Sequence, residues 1–339
     1  METKKSYLER VNKKDCFVIA EAGVNHNGSL RIAKQLVDSA VECGVDAIKF
    51  QTYNTDRLVH NSDKAQYYML RDLELQHNEF RQLKKYCDDK NILFLSTPHT
   101  DASVDFLNKI VPIFKIGSGD LNNFPMLEQI AKKEKPIILS TGMATMNEIE
   151  EAVDTIRRYN NDLVLLHCVT MYPCPRQYTN LRMMKVLHDK FDCPVGFSSH
   201  STNIDIPLTA VLLGASVIEV HFTLNKKMKG PDHKASLNPK ELKELVTRIK
   251  IEDFPLLDYA IMGSNIKRLT EEEERLSKIV RKSIYSFVNI PENTKITNKM
   301  LIIKRPGIGI PPKGIYTIIG KTTKHFIRKN TLIKMSDVK

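Results

Sequence analysis

Apolar and polar positions follow one another along this chain in a pattern that repeats eight times between residues 16 and 250. Each repeat opens with a short apolar run, passes through a polar turn, and continues into a more polar segment. The runs are CFVIAEAG (16–23), VDAIKFQT (45–52), ILFLSTP (92–98), PIFKIGSG (112–119), PIILSTG (136–142), LVLLHCV (163–169), PVGFSSH (194–200) and SVIEVHF (216–222). Between them, apolar residues recur at three and four, most clearly in SLRIAKQLVDSAVECG, EFRQLKKYCDDK, MNEIEEAVDTIRRY and PKELKELVTRIK, which predicts amphipathic helices. Runs that are apolar on both faces predict strands of a sheet covered on both sides. Eight strand–helix units in roughly 250 residues predict a closed (β/α)8 TIM barrel over residues 1–265. An open doubly wound sheet is the alternative, although no GxGxxG follows the first run, which counts against a dinucleotide fold.

The pattern changes after a charged connector at 266–280, which contains RLTEEEERLSK. Residues 281–339 hold short β-like runs (SIYSFVNI, MLIIKRPG, YTIIGK, TLIKM) broken by Pro, Gly and Asn, and predict a small β-rich second domain. A unit of about 60 residues is marginal alone and needs a surface to pack on.

Composition narrows the class. With 42% hydrophobic and 27% charged residues among 339, this is an ordinary globular protein. No apolar run is long enough to span a bilayer. The first fifteen residues are charged and lack an apolar signal core, so a cytoplasmic protein is expected. Six cysteines without a CxxC pair read as reduced thiols. The net charge of +11 resides in residues 281–339, which hold 13 Lys/Arg against 2 Asp/Glu. Such a segment suits nucleic acid, an anionic membrane, or a lid over an anionic substrate. Its few aromatics and lack of a nucleic-acid motif argue against nucleic acid, and no nucleic-acid or membrane partner is expected; the bland reading of the charge is simple solubility.

The strand ends of a barrel form its active-site rim. Two consecutive runs end in His200 and His221. Two imidazoles with open positions suit a catalytic divalent metal better than a closed structural one; the bland reading is a pair of strand-end histidines with local hydrogen bonds. Lys49 and Lys115 lie inside apolar runs, and a buried lysine needs a partner. Glu21 and Glu219 are available for salt bridges. With the hydroxyls of Thr97, Ser118, Ser140, Thr170 and Ser198 at other strand ends, the lysines also make a cradle for phosphate and carboxylate. A Schiff-base lysine is a third reading. Asp232, in the Gly-Pro turn after the eighth run, could bind sugar hydroxyls.

The ordered motifs EAGVNHNG (21–28), IKFQT (48–52), STP (96–98), FKIGSG (114–119), ILSTGM (138–143), LLHC…YP (165–173), GFSSH (196–200), EVHFT (219–223), GPDHKASL (230–237) and KRPGIGI (304–310) resemble the sialic acid synthases, members of the nonulosonate synthase family. The resemblance implies a (β/α)8 barrel followed by an antifreeze-like (SAF) domain, acting as a domain-swapped homodimer. It implies condensation of phosphoenolpyruvate with an open-chain N-acylated amino sugar, N-acetylmannosamine or a close analogue, giving a nine-carbon α-keto acid and phosphate, with manganese or magnesium required; the alternative within the family is synthesis of legionaminic acid, pseudaminic acid or a spore-coat sugar. Carried over by position, His200 and His221 hold the metal. Lys49, Lys115, Thr97, Ser118, Ser140, Thr170 and Ser198 hold phosphoenolpyruvate, and Glu21 manages the water or proton. Gln51, Asp120, Tyr172 and Asp232 bind the sugar, joined by Arg305 from the partner subunit. The chain departs from the pattern at Ser199, Asp120 and Met171, and in a short segment over 59–75.

Overall fold

The computed structural model describes residues 16–339. Its eight barrel strands are β1 (Phe17–Gly23), β2 (Ala47–Thr52), β3 (Leu93–Pro98), β4 (Phe114–Ile116), β5 (Ile137–Ser140), β6 (Leu163–Cys168), β7 (Val195–Ser199) and β8 (Val217–His221). All pairings are parallel, in the order β3-β2-β1-β8-β7-β6-β5-β4. β3 and β4 lie side by side at the seam, so the sheet is a near-closed barrel.

The period of two along each strand explains what faces where. Val18, Ala20 and Ala22 of β1 point outward, into an apolar layer shared with the surrounding helices. Phe17 and Ile19 point inward and meet Ala47, Leu95, Ile138, Val164 and Val217 in a plug that fills the lower barrel. One step further up the same inward rows the residue type switches to polar. Glu21 follows Ile19, Lys49 follows Ala47, Thr97 follows Leu95, Ser140 follows Ile138, and Glu219 and His221 follow Val217. The apolar plug therefore supports a ring of buried polar groups at the C-terminal strand ends.

Helices follow each strand. Ser29 caps Leu30–Cys43 through Ile32 N–H, and Gly44 ends it in the left-handed conformation, φ 76°. Between β2 and β3 the sequence shows one clear helix, but three form: Thr55–Leu58, Lys64–Leu73 and His77–Asp89. Asn54 and Asp63 cap the first two. These extra turns and Val24 build a separate apolar cluster of Val24, Tyr53, Leu58, Val59, Leu70 and Leu73 above the strand ends.

The helix Glu271–Val280 leads into the small domain, where β9 (Ser283–Ser286) and β10 (Leu301–Lys304) pair antiparallel. An isoleucine-rich core including Ile284, Ile290, Ile296, Ile318 and Ile333 holds it together. Among the described residues no helix is long and apolar enough to cross a membrane.

Candidate active site

The polar ring surrounds a cavity of about 240 Å³ at the barrel mouth. Its floor is a buried quartet of two lysines and two carboxylates. Lys49 Nζ lies 2.7 Å from Glu21 Oε2 and 3.7 Å from Glu219 Oε2, and donates to Thr97 Oγ1 at 3.0 Å. Lys115 Nζ donates to Ser140 Oγ at 2.7 Å and lies 3.5 Å from Glu219 Oε1. The β1–β2 register places Glu21 beside Lys49, and the β7–β8 register places Ser198 beside Glu219, to which its hydroxyl donates at 2.9 Å. Gln51 donates to Glu21 Oε1 at 3.0 Å.

The two carboxylates are driven apart in acidity. Burial pushes Glu219 up, but Lys115 and Lys49 outweigh it and hold the carboxyl down to about 2. Burial also raises Glu21; Lys49 only partly offsets this, and the charge on Glu219 adds to the rise. Two nearby carboxyls pushed in opposite directions suit one as fixed charge and one as proton carrier. Burial lowers Lys115. Sequence reasoning treated Glu219 only as an available partner, yet it bridges both lysines. Its spacing of two from His221 on one strand was the available signal, since such residues share a face.

Above the floor the loops after β4, β5 and β6 converge. Gly142 N–H donates to Ser118 Oγ at 3.0 Å, and a Cβ on Gly142 would collide with Thr170 Oγ1. Thr170 Oγ1 is buried without a partner. These groups form a close-packed corner in which only glycine fits and an unmet hydroxyl faces the cavity.

His200 and His221 meet at the opposite wall, ring centroids 5.3 Å apart. His200 Nδ1 donates to the Val169 carbonyl at 2.9 Å, and its Nε2 meets Tyr172 Oη at 3.1 Å. Such an outer hydrogen bond is the usual support of a metal-binding imidazole. Burial, with His200 nearby, depresses His221 to about 3, so the ring is neutral, and its Nδ1 is buried without a partner. Metal–nitrogen bonds are about 2 Å long, so two rings this close can share one ion. Among the described residues no group of three or more His, Cys, Asp or Glu is gathered for a metal. The pair fits a two-imidazole site that leaves other positions open, and Tyr172 stacks on His200 at 4.1 Å between centroids. Cys168, unassigned from sequence, lines the cavity 3.9 Å from His200. Burial pushes the carboxyl of Asp232, also in the lining, up to about 6.

The C-terminal segment clasps the rim. Arg305 lines the cavity, and its buried Nε has no partner. Its backbone is sewn to the loop after β2: Arg305 N–H donates to Leu58 O at 2.8 Å, and His60 N–H to Arg305 O at 2.9 Å. Within the single chain Arg305 therefore stands at the mouth of the barrel. The connector helix ends against the rim, with Val280 packed on Gly119, so the small domain begins directly over its own barrel.

Asp120 stands apart from the other residues expected at the sugar. It does not line the cavity and is fully buried. Lys282 Nζ donates to Asp120 Oδ1 at 2.5 Å and to His99 O at 2.6 Å, while His99 Nδ1 lies 3.2 Å from Oδ2 and Asn123 bonds Oδ1 at 3.1 Å. Three side chains, Lys282, Asn123 and His99, thus engage the two carboxylate oxygens. Burial alone would raise Asp120, but Lys282 and His99 hold it far below the usual carboxylate range. Glu273 ties two further loops: its Oε1 accepts from Met143 N–H at 2.9 Å and Thr170 N–H at 3.0 Å. In the sequence, T-x-x-E at Thr270–Glu273 signals only a helix start.

A parallel barrel whose mouth gathers lysines, hydroxyls and paired imidazoles, capped by a basic C-terminal domain, defines a class of anion-handling barrel enzymes. Within that class the chain belongs to the NeuB family, whose model matches residues 36–253, and an SAF domain model matches residues 281–339. It is 41% identical to the N,N'-diacetyllegionaminic acid synthase of Legionella pneumophila, over 90% of this chain and 89% of that protein. It is 38% identical to the human N-acetylneuraminate-9-phosphate synthase, over 90% and 88% respectively. The crystal structure of the spore coat polysaccharide biosynthesis protein spsE of Bacillus subtilis superposes with a TM-score of 0.83 at 33% identity, covering 96% of this chain and 95% of that one.

Proposed function

We propose that this protein condenses phosphoenolpyruvate with the open-chain aldehyde of an N-acylated amino sugar, N-acetylmannosamine or a close analogue, to give a nine-carbon α-keto acid and phosphate. The observation that carries the reading is the convergence of Lys49 and Lys115, with Thr97 and Ser140, on the floor of one cavity beneath two imidazoles. The lysines and hydroxyls bind phosphate and carboxylate, and Ser118, Thr170 and Ser198 complete the cradle. C3 of phosphoenolpyruvate attacks the aldehyde carbon, whose oxygen takes up a proton and becomes a hydroxyl. Water adds to the cation left at C2 and gives its proton to Glu21, whose raised pKa suits a proton carrier. Cleavage of the C2–O bond to phosphorus-bound oxygen releases phosphate, which takes up the proton of the new C2 hydroxyl as that group becomes the ketone. Gln51, Tyr172, Asp232 and Arg305 orient the sugar. A manganese or magnesium ion held by His200 and His221 would supply Lewis-acid polarisation of the aldehyde.

The test is phosphate release with purified protein. Release that needs both phosphoenolpyruvate and an amino sugar, and that stops in His200→Ala or after chelation, is expected. Release without sugar, or a borohydride-trapped adduct on either lysine, overturns the reading.

We also propose that the protein works in the cytoplasm as a homodimer that exchanges its small domains. The exposed apolar side chains just after the helix Pro239–Lys250 support a covering partner: Leu256 is 95% and Tyr259 75% accessible. Mixing Arg305→Ala with His221→Ala protein restores activity if domains are exchanged, because one hybrid site then has both groups intact. Absence of recovery, with subunit exchange demonstrated, assigns the arginine to its own barrel.

A further inference from the structure

A second cavity, of about 400 Å³, opens between the helix Thr55–Leu58 and the small domain, and shares no lining residue with the first. Asp56 and Arg57 line it from the barrel side, Lys304 and Lys329 from the small domain. Its charges are not balanced. Lys304, at the end of β10, is only 7% exposed, yet its Nζ donates to an amide oxygen, Asn330 Oδ1, at 2.8 Å, and makes no ion pair among the described residues. An ammonium has three donors, and a buried lysine is almost always paired. Burial lowers Lys304; Asp56 opposes this, while Lys329 and Arg57 add to it. Asp56, the one carboxylate in the lining, is already engaged by Tyr67 Oη and Arg71 Nη1. Arg57 pairs with Asp101 at 2.9 Å, and its buried Nε has no partner. The Phe287 ring holds two of these cations, 5.2 Å from the Arg57 guanidinium and 6.0 Å from Lys329 Nζ. Unmet buried donors around a cavity mark a place for an anion.

The class of anion follows from the charge. A phosphate group brings about −1.5 to −2 charge and three acceptor oxygens, which match the two lysines without a carboxylate partner; a single carboxylate would leave one of them unmet. The place of the cavity gives binding a consequence. Arg57 directly precedes Leu58, whose carbonyl accepts the Arg305 N–H, and Lys304 directly precedes Arg305 itself. His60, whose N–H donates to Arg305 O, also ties its ring to the small domain: Nε2 donates to Asn330 O at 2.8 Å, and the ring stacks on Tyr285 at 5.0 Å between centroids. An anion between Arg57 and Lys304 therefore joins the two segments whose pairing holds Arg305 at the barrel mouth, and removes the repulsion between their cations.

We infer that this junction is a phosphate-binding effector site, in which a phosphate group held by Lys304, Lys329 and Arg57 steadies Arg305 over the active cavity. Binding stands on the junction alone; its effect on the sugar rests on the condensation proposed above. The test is isothermal titration calorimetry on full-length protein at constant ionic strength, in a Lys115→Met background that removes a cation from the barrel floor. Inorganic phosphate and glycerol 2-phosphate serve as the free ion and a monoester. Binding is expected, and Lys304→Met weakens it by about tenfold or more. Lys329→Glu, at an exposed position that leaves the fold intact, does the same. Binding of inorganic phosphate alone assigns the site to the free ion, and binding of both assigns it to phosphate monoesters. In enzyme that keeps Lys115, saturating ligand lowers the sugar KM several-fold at saturating phosphoenolpyruvate, and fails to do so in Lys329→Glu. No binding of either probe, or binding unchanged in both lysine variants, overturns the inference and leaves the condensation standing. Binding that both variants weaken, with the sugar KM unmoved, overturns the effector role. Absence of turnover with every amino sugar overturns the condensation and leaves the binding result as it is.

Discussion

Two buried clusters of lysine and carboxylate lie close together in this molecule and do opposite things. On the barrel floor, Glu21, Lys49, Glu219 and Lys115 share a cavity wall, and Glu21 Oε2 and Glu219 Oε2 make ion pairs without a regular hydrogen bond. At the rim, both Asp120 oxygens are bonded, by Lys282, Asn123 and His99, and Asp120 is outside the cavity. Burial is equally deep in both. What separates them is spare bonding capacity facing open space: the floor has it and the rim does not. Buried charge marks a candidate site only when its partners leave it unfinished.

Replacing a floor lysine tests this most severely. Lys115→Met removes a cation that faces the cavity, so kcat/KM for phosphate release falls by about 10²–10³, while the protein remains folded by circular dichroism. A loss of thermal stability with unchanged turnover in the folded fraction would place the floor in the same category as the rim.

The rim reads out in stability instead. Lys282→Met leaves Asp120 buried without its cation and costs about 3–5 kcal/mol, measured by urea unfolding, with faster proteolysis of the connecting segment. The double variant Asp120→Asn/Lys282→Met recovers much of that loss, because removing both charges removes the uncompensated one. Sugar KM in the double variant matches that of the native protein. A double variant that is stable yet still impaired in sugar KM would return Asp120 to the sugar site.

Acid sharpens the same contrast with a smaller effect. Because Asp120 is depressed in the folded state, its contribution is complete above the unfolded carboxyl value of about 3.9 and is lost as pH falls below it toward the folded value. The stability gap between the native protein and Asp120→Asn therefore closes below about pH 4. A gap independent of pH down to 2 would show that the carboxylate charge contributes nothing to the rim.

The barrel was legible in the sequence because each strand writes its own register: Phe17, Ile19 and Glu21 alternate with Val18 and Ala20, and eight such runs admit few architectures. Lys49 and Lys115 stood out because lysine is rare in such runs. Asp120 did not follow, because its neighbour Lys282 is 162 residues away and sits in a segment, RKSI, that carries no signal of burial. The helix Lys64–Leu73 was missed for another reason: its polar residues mask a short apolar stripe, of which only Leu70 and Leu73 are buried. Long-range pairing and loop packing decide such residues, and neither has a local period.

The smallest predicted effect concerns Glu273, which joins the two regions. It sits on the connector helix, yet its Oε1 receives the N–H groups of Met143 and Thr170, one beside Gly142 and the other carrying the unpaired hydroxyl of the anion corner. Its Oε2 accepts from Thr270 N–H at 3.2 Å, closing a capping box. In Glu273→Gln the amide oxygen can keep the loop contacts, while the amide nitrogen faces the Thr270 donor. The cap is lost at about 1 kcal/mol, and catalysis changes little. Glu273→Ala loses the loop contacts as well. Thr170 and the Ser118–Gly142 corner then relax, and KM for phosphoenolpyruvate rises several-fold with kcat changed less, since the corner binds anion rather than moving protons. The two variants together separate the roles. Equal KM in both, with only the melting temperature lowered, would make Glu273 a helix cap and nothing more; a KM rise confined to alanine shows that the connector helix holds the anion corner in shape.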